Sequence, residues 1–255
     1  MWRPRLPRLT TTICGPVSRT LNLILFTDGD RVEPNKIALR GRRLQHLRQI
    51  HRANSGDILR VGEIGGLMGE GEILEINDEF ATLAISLHQS PPDKLPLSLV
   101  LAMPRPKMLR RILRTIAELG VPELHLINSY RVEKSYWQSP ALEQDTVRGY
   151  LLQGLEQSRD TQVPLVHQHR AFKPFVEDHL PTMIRGRHAL LAHPGGQSLC
   201  PRNTDGNTLL VIGPEGGLIP YELEKLESAG CEIVSLGPRI LRVETAVTSL
   251  IGRLF

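Results

Sequence analysis

Two stretches near the carboxyl end decide the reading of this chain. Leu209-Leu210-Val211-Ile212 runs into Gly213-Pro214-Glu215-Gly216-Gly217, and Glu232-Ile233-Val234-Ser235-Leu236 runs into Gly237-Pro238-Arg239-Ile240-Leu241-Arg242-Val243-Glu244-Thr245-Ala246. Each starts as an apolar run of strand length and breaks at a Gly-Pro pair. A helical pattern follows each break, so the chain twice makes a strand–tight turn–helix unit. Loops beyond the carboxyl ends of such strands form the ligand crevice of an α/β sheet. Here those loops set Glu215, Glu244, Arg239 and Arg242 beside glycine-bared backbone, and a ligand site is expected there.

The first turn has neither the Lys-Ser/Thr of a P-loop nor the spacing of a dinucleotide fingerprint. Pro220 suits the first turn of the helix that follows, and Ile219 offers it no side-chain cap. Uncapped amides at that helix start would be available to a ligand. A plain tight turn is the bland alternative. In the second unit, Glu244 near a helix start has a bland role as well, compensating the helix dipole, and Arg242 has one in pairing with Glu215 or Glu244. Two such turns on neighbouring strand ends favour the site.

Working outward, residues from Pro96 alternate strand and helix. Strands are expected at Leu97–Met103, Leu124–Ile127, Val163–Val166 and His188–His193, ahead of the two described. Helices are expected at Met108–Leu119, Leu142–Gln157 and around Phe175–Leu180. That order predicts a mostly parallel sheet covered by helices. Before it, Ser90-Pro91-Pro92-Asp93-Lys94 opposes helix and central strand alike and marks a boundary. Ahead of the boundary, short strands at Asn22–Phe26, Ile58–Val61, Gly71–Ile76 and Ala81–Leu87 suggest a small β-barrel-like unit. Within it, Arg42 to Arg52 carries Leu44, Leu47 and Ile50 on a helical stripe. The division expected is therefore a disordered extension at residues 1–20, a β unit at 21–90, a linker at 91–96 and an α/β unit at 97–255.

Of 255 residues, 40% are hydrophobic and 23% charged, which suits a globular protein with a real core. No apolar run approaches the ~20 residues that span a bilayer, so no membrane partner is expected. Cys14, Cys200 and Cys231 are odd in number and lack C-x-x-C spacing, which argues against disulfides and cysteine zinc sites and for a reducing cytoplasm. The net charge of +4 is unevenly spread: residues 1–60 hold 12 Lys/Arg against 4 Asp/Glu. Such a basic front points to a polyanion, most naturally nucleic acid, with Arg42, Arg43, Arg48 and Arg52 as contacts. Lys107, Arg110, Arg111 and Arg114 form a second basic face, to be read equally as solvated or as RNA-facing. His167-x-His169 has no third ligand in sequence reach and is read as surface, so no metal is expected.

The paired motifs GPEGG, with Glu222 five residues on, and LGPRILRVETA resemble those of the RsmE family of SPOUT methyltransferases. Further matches are His46, Ile50-x-Arg52, Gly56-Asp57, Glu118-Leu119-Gly120-Val121, Ser129-x-Arg131, Glu156-Gln157-Ser158, Pro164 and His193-Pro194. They run from about Leu21 to Phe255. Departures are Asp160, where the family usually has Arg, and Ile219, where it commonly has Ser.

The resemblance implies a PUA-like RNA-binding β-barrel followed by an α/β domain with a trefoil knot, a feature nearly absent elsewhere. It implies a homodimer and transfer of a methyl group from S-adenosylmethionine to uridine N3 of 16S ribosomal RNA, free or within the 30S subunit. By position the cofactor would contact His193, Pro194, Ile212, Gly213, Gly216, Gly217, Leu236, Gly237, Ile240, Leu241 and Arg242, with Arg239 toward RNA. Uridine N3 attacks only after losing its proton, so a base or a cation that stabilises the anion is required. Arg242 is expected to orient and stabilise the base, with Glu215 and Glu244 holding that arginine. The alternatives are a SPOUT enzyme for another ribosomal or transfer RNA nucleotide, or a non-catalytic RNA-binding protein that keeps the fold.

Overall fold

A computed structural model describes residues 22–255; the expected extension at 1–20 lies outside the described residues. Two sheets organise the chain. The first is built from β1 (Ile24–Phe26), β2 (Arg31–Glu33), β3 (Lys36–Leu39), β4 (Ile58–Glu63), β5 (Met68–Ile76) and β6 (Ala81–Gln89). Its order is β1-β4-β5-β6-β3-β2, antiparallel except for the β1–β4 pair. Alternation drives it: Ala81, Leu83 and Ile85 of β6 point inward, while Thr82, Ala84 and Ser86 face out. With Phe26, Ile37, Leu39, Leu47 and Ile73 they close a separate apolar core.

Strands β2 and β3 escaped the sequence pattern because they are three and four residues long, too short to show a period. The helical stripe at 42–52 is realised as α1 (Gly41–His46) running into a π turn, Leu47–His51, that Arg52 ends in the left-handed region (φ 47°).

The second sheet contains β7 (Leu97–Ala102), β8 (Glu123–Ile127), β9 (Leu165–His169), β10 (His188–Ala192), β11 (Ser198–Leu199), β12 (Thr208–Ile212) and β13 (Glu232–Ser235). It is wholly parallel, in the order β11-β13-β10-β12-β7-β8-β9. Every residue of β7 and β12 is buried, including Ser98 and Thr208, which is why both read as mostly apolar rather than alternating. Helices α2 (Pro106–Glu118) and α3 (Gln144–Ser158) pack on one another. Leu109, Ile112, Leu113 and Ile116 form the buried stripe of α2. Next come α4 (Phe172–Pro174) and α5 (Leu180–Ile184), flanking a π turn at Phe175–His179, then α6 (Pro220–Ser228) and α7 (Val243–Leu254). Helix α7 returns to pack against α2 and β12.

Direct bonds join segments flanking the first sheet to α3 and the loop after it. The Leu23 N–H donates to the Glu156 carbonyl at 2.9 Å, the Gly65 N–H to Thr161 O at 2.8 Å, and Thr161 Oγ1 to Gly66 O at 2.6 Å. The segment between the sheets is fastened as well: Lys94 Nζ pairs with the buried Asp160 carboxylate at 2.6 Å, and the Leu95 N–H donates to Gly120 O. Asp160, one of the departures from the resembled family, is thus the acid that anchors Lys94. No helix among the described residues is long and apolar enough to cross a membrane.

Candidate active site

Because β12, β10 and β13 are neighbours, the loops after their carboxyl ends converge. They enclose a cavity of about 340 Å³. His193, Pro194, Ile212, Gly213, Gly216, Gly217, Leu236, Gly237, Ile240 and Leu241 all line it, together with Glu215 and Arg239. Val243, Ala246 and Leu250 of α7 add apolar wall. The volume and the apolar lining with few polar groups are those of a small-molecule site.

Local chemistry shapes each wall. The His193 N–H donates to Val234 O at 2.9 Å, and the Gly195 N–H to His193 Nδ1 at 3.1 Å, which holds that imidazole at the rim. In the GPEGG turn the Gly217 N–H donates to Pro214 O, and Gly217 takes φ 73°, a left-handed conformation that favours glycine. Gly237 opens the third loop at φ 115°. Beyond it Ile240 stands 83% exposed, an apolar side chain held out at the rim.

Several expected contacts are not realised. Arg242 caps the start of α7 in extended conformation, is exposed, and does not line the cavity; nor does Glu244. Among the described residues Arg242 makes no ion pair with Glu215 or Glu244. Glu215 instead accepts the Arg105 backbone N–H at 3.2 Å, and Glu244 lies in the first turn of α7. Arg242 is the N-cap of α7 with no side-chain cap bond, and its side chain is exposed. At the start of α6, Ile219 gives no side-chain cap, as expected. Glu222, at the third helical position, reaches back to accept the Ile219 N–H at 3.0 Å.

The basic face at 42–52 is largely balanced within the chain. Arg42 pairs with Glu156 (2.7 Å), Arg43 with Asp30 (2.6 Å) and Arg48 with Asp78 (2.5 Å), whereas Arg52 is exposed and makes no ion pair among the described residues. Arg43 holds the Asp30 carboxyl in place. Burial alone would raise that acid, but the Arg43 guanidinium and the Thr27 N–H bring it below the usual carboxylate range. The acids needed, Asp30, Asp78 and Glu156, are remote in sequence or lie outside the helix, so a local charge count could not find them.

Two residues went unassigned in the sequence. Glu222 is 3% exposed; its Oε1 accepts the Tyr130 N–H at 2.8 Å, and its Oε2 also accepts from Ser129 Oγ at 3.4 Å. Arg131 lines the cavity and donates from Nη1 to the Gly216 carbonyl. Turn 129–131 thus braces the GPEGG loop through both ends. The available signal was their presence in Ser129-x-Arg131 and in the glutamate trailing GPEGG.

Residues 91–254 match the family described as an RNA methyltransferase domain. Over 232 residues, 89% of this chain and 87% of the other, the chain is 28% identical to the ribosomal RNA small subunit methyltransferase E of Treponema pallidum. It is 26% identical to the protein of the same name from Synechocystis, over 86% of this chain and 72% of that one. The fold is similar to that of ribosomal RNA small subunit methyltransferase E from Neisseria gonorrhoeae, solved bound to S-adenosyl methionine. The TM-score is 0.73 at 19% identity, covering 91% of this chain and 95% of the other. A Legionella pneumophila protein solved with the same cofactor also gives 0.73, at 21% identity over 91% and 96%.

Proposed function

The chain belongs to the RsmE family of RNA methyltransferases, and from that premise we propose that it methylates uridine N3 of 16S ribosomal RNA with S-adenosylmethionine. The observation that carries the reading is the cavity shared by the loops after β10, β12 and β13. Its fit to the cofactor rests on its size, its apolar wall of Ile212, Leu236, Leu241 and Leu250, and the glycines that let a ligand lie against main chain. When bound, the sulfonium cofactor supplies an activated methyl group. The protein's own task is to position the base and favour its anion.

Arg242, exposed beside the mouth, approaches the target uracil from the RNA side and stabilises the negative charge that develops as N3 gives up its proton. Glu215, on the GPEGG loop, and Glu244, in the first turn of α7, hold the Arg242 fork once RNA has closed over it. Arg239, at the cavity rim, and Arg42, Arg43, Arg48 and Arg52 contribute phosphate contacts, with Arg52 carrying most because its charge is unshared.

Residues 21–90 serve as the PUA-like RNA-binding barrel, 91–96 as the linker, and 97–255 as the SPOUT domain. Insertion of β12 between β7 and β10, with α7 returning against β12 and α2, supports a trefoil-knotted path. Exposed Ile240 and Tyr130, both near the rim, supply apolar surface for a second copy, in keeping with a homodimer acting in the cytoplasm.

The test is methyl transfer to 16S RNA by Arg242→Ala, with cofactor affinity measured separately. A loss of about 100-fold or more in turnover, with affinity within threefold, is expected. Near-normal turnover would refute the assignment, and a primer-extension stop at any other nucleotide would refute the target.

A further inference from the structure

Far from the cavity, at the β8–β9 edge of the sheet, the structure gathers a cluster that the proposed methyl transfer does not use. Parallel pairing sets His125 of β8 directly beside His167 of β9, and period-two alternation puts Glu123 and His169 on the same face. The His125 and His167 rings stack at 4.5 Å, 17° from parallel. His169 is packed in turn by Phe175 and His179 of the π turn that covers this face. One donor atom each from Glu123, His125 and His167 lie within 4.8 Å of one another.

Three features of this cluster point to a cation. First, His125 is only 8% exposed, and its Nε2 has no hydrogen-bond partner, a costly state for a polar atom out of water. Second, that Nε2 faces the Glu123 Oε2 at 3.6 Å, too long for a hydrogen bond. The distance is close to the ~3.4 Å that separates two ligands of a tetrahedral ion bound at about 2.0–2.1 Å. Third, the rest of the cluster is already committed in the way a metal site requires. His125 Nδ1 lies 3.1 Å from His169 Nε2, so donation from Nδ1 leaves Nε2 as a lone pair, the usual outer-shell arrangement of a ligating histidine. Glu123 Oε1 is engaged by Ser98 and by Arg187 (3.3 Å), which fixes the carboxylate and leaves Oε2 for the ion. His167 is exposed, so its ring can leave the stack on His125 toward solvent and turn to close the triad.

We propose that Glu123, His125 and His167 bind a divalent transition-metal ion of the zinc type, with water as the fourth ligand and His169 as the positioning residue. Two imidazoles and one carboxylate suit zinc and exclude magnesium or calcium, which take oxygen ligands. None of these residues lines the cofactor cavity. The ion therefore acts as a clamp that fastens edge strand β9 to β8, and through His169 steadies the 172–184 segment above it. The His-x-His of β9 was visible in the sequence; its partners were not, because they come from a strand some forty residues earlier that only the parallel register brings alongside.

The experiment uses untagged full-length protein stripped with a chelator and titrated with Zn²⁺ and Co²⁺, read by calorimetry, visible absorption and thermal unfolding. One equivalent should bind, with four-coordinate Co²⁺ bands and a rise in Tm. His167→Ala should abolish the bands and the rise, and His169→Ala should weaken affinity about 10–100-fold. If His167→Ala is poorly folded, Glu123→Gln, which keeps the volume, should show the same loss. Absence of saturable binding to the wild type, or binding unchanged by Glu123→Gln or His167→Ala, overturns the site. Because binding and Tm are read without RNA or S-adenosylmethionine, the result is independent of methyl transfer.

Discussion

Replacing Glu222 by Gln tests whether the cofactor loop is braced from beneath. The carboxylate takes two backbone N–H donors, one on each oxygen: Tyr130 at 2.8 Å and Ile219 at 3.0 Å. An amide of the same volume can accept with only one of its two ends, so one part-buried donor meets an NH2 against the buried Glu222 position instead. A buried unsatisfied donor costs about 1–3 kcal/mol. In a chain of this size each kcal/mol lowers Tm by about 2–4 °C, so a mid-range loss of about 2 kcal/mol predicts a fall of about 4–8 °C. The rival account, that Glu222 merely compensates the α6 dipole, limits the loss to about 0.3–1 kcal/mol. The same bonds hold the turn whose Arg131 grips Gly216, so S-adenosylmethionine should bind about tenfold more weakly, about 1.4 kcal/mol. Calorimetric unfolding and cofactor titration of Glu222→Gln supply both readings. A Tm within about 2 °C of wild type would refute the bracing argument.

Arg52→Gln should lower RNA affinity and reduce the slope of log affinity against log salt by about one, with Tm unchanged, as measured by filter binding over a salt series. Arg43→Gln should instead lower Tm, because it strands Asp30. The folded-state pKa of Asp30 is depressed, so its contribution is present above the unfolded value of about 3.9 and disappears as pH falls through the lower folded value. Wild type should accordingly exceed Asp30→Asn in denaturant stability at pH 6, with the gap closing below about pH 4. Burial pushes the Cys231 thiol up to about 12 and raises that of Cys200. In a Cys14→Ser background neither should react with a maleimide at pH 7.5 until the protein unfolds, which mass spectrometry of labelled peptides reads directly.

What the sequence disclosed and what it hid follow one physical division. Strands buried on both faces write themselves as apolar runs, so β7, β10 and β12 were legible and, with their Gly-Pro stops, so were the loops that bound the cavity. Backbone-built sites need glycine at fixed places, and those glycines are visible too. Ionic contacts carry no such local period. Arg42 finds Glu156 across 114 residues and Lys94 finds Asp160 across 66, while Glu222 meets Tyr130 across 92. Each partner taken alone reads as an ordinary surface charge or helix-start acid.

The site inherits this division. Its apolar pocket and bare backbone come from strand ends whose positions hydrophobic patterning fixes, so a small ligand can be accommodated by the isolated chain. Its charged groups are arranged otherwise: Arg242 and Arg239 stand in solvent, and Glu215 is occupied by the Arg105 backbone. Arg239 and Arg242 are exposed, and on the proposed function they are the groups that meet an anion arriving from outside. Binding of the small ligand and readiness for chemistry are thus separate properties of this fold. Cofactor affinity should survive the loss of Arg242, whereas the ordering of Arg242 against Glu215 or Glu244 should appear only with RNA in place. A structure of the RNA complex with Arg242 still turned to solvent would reject that separation.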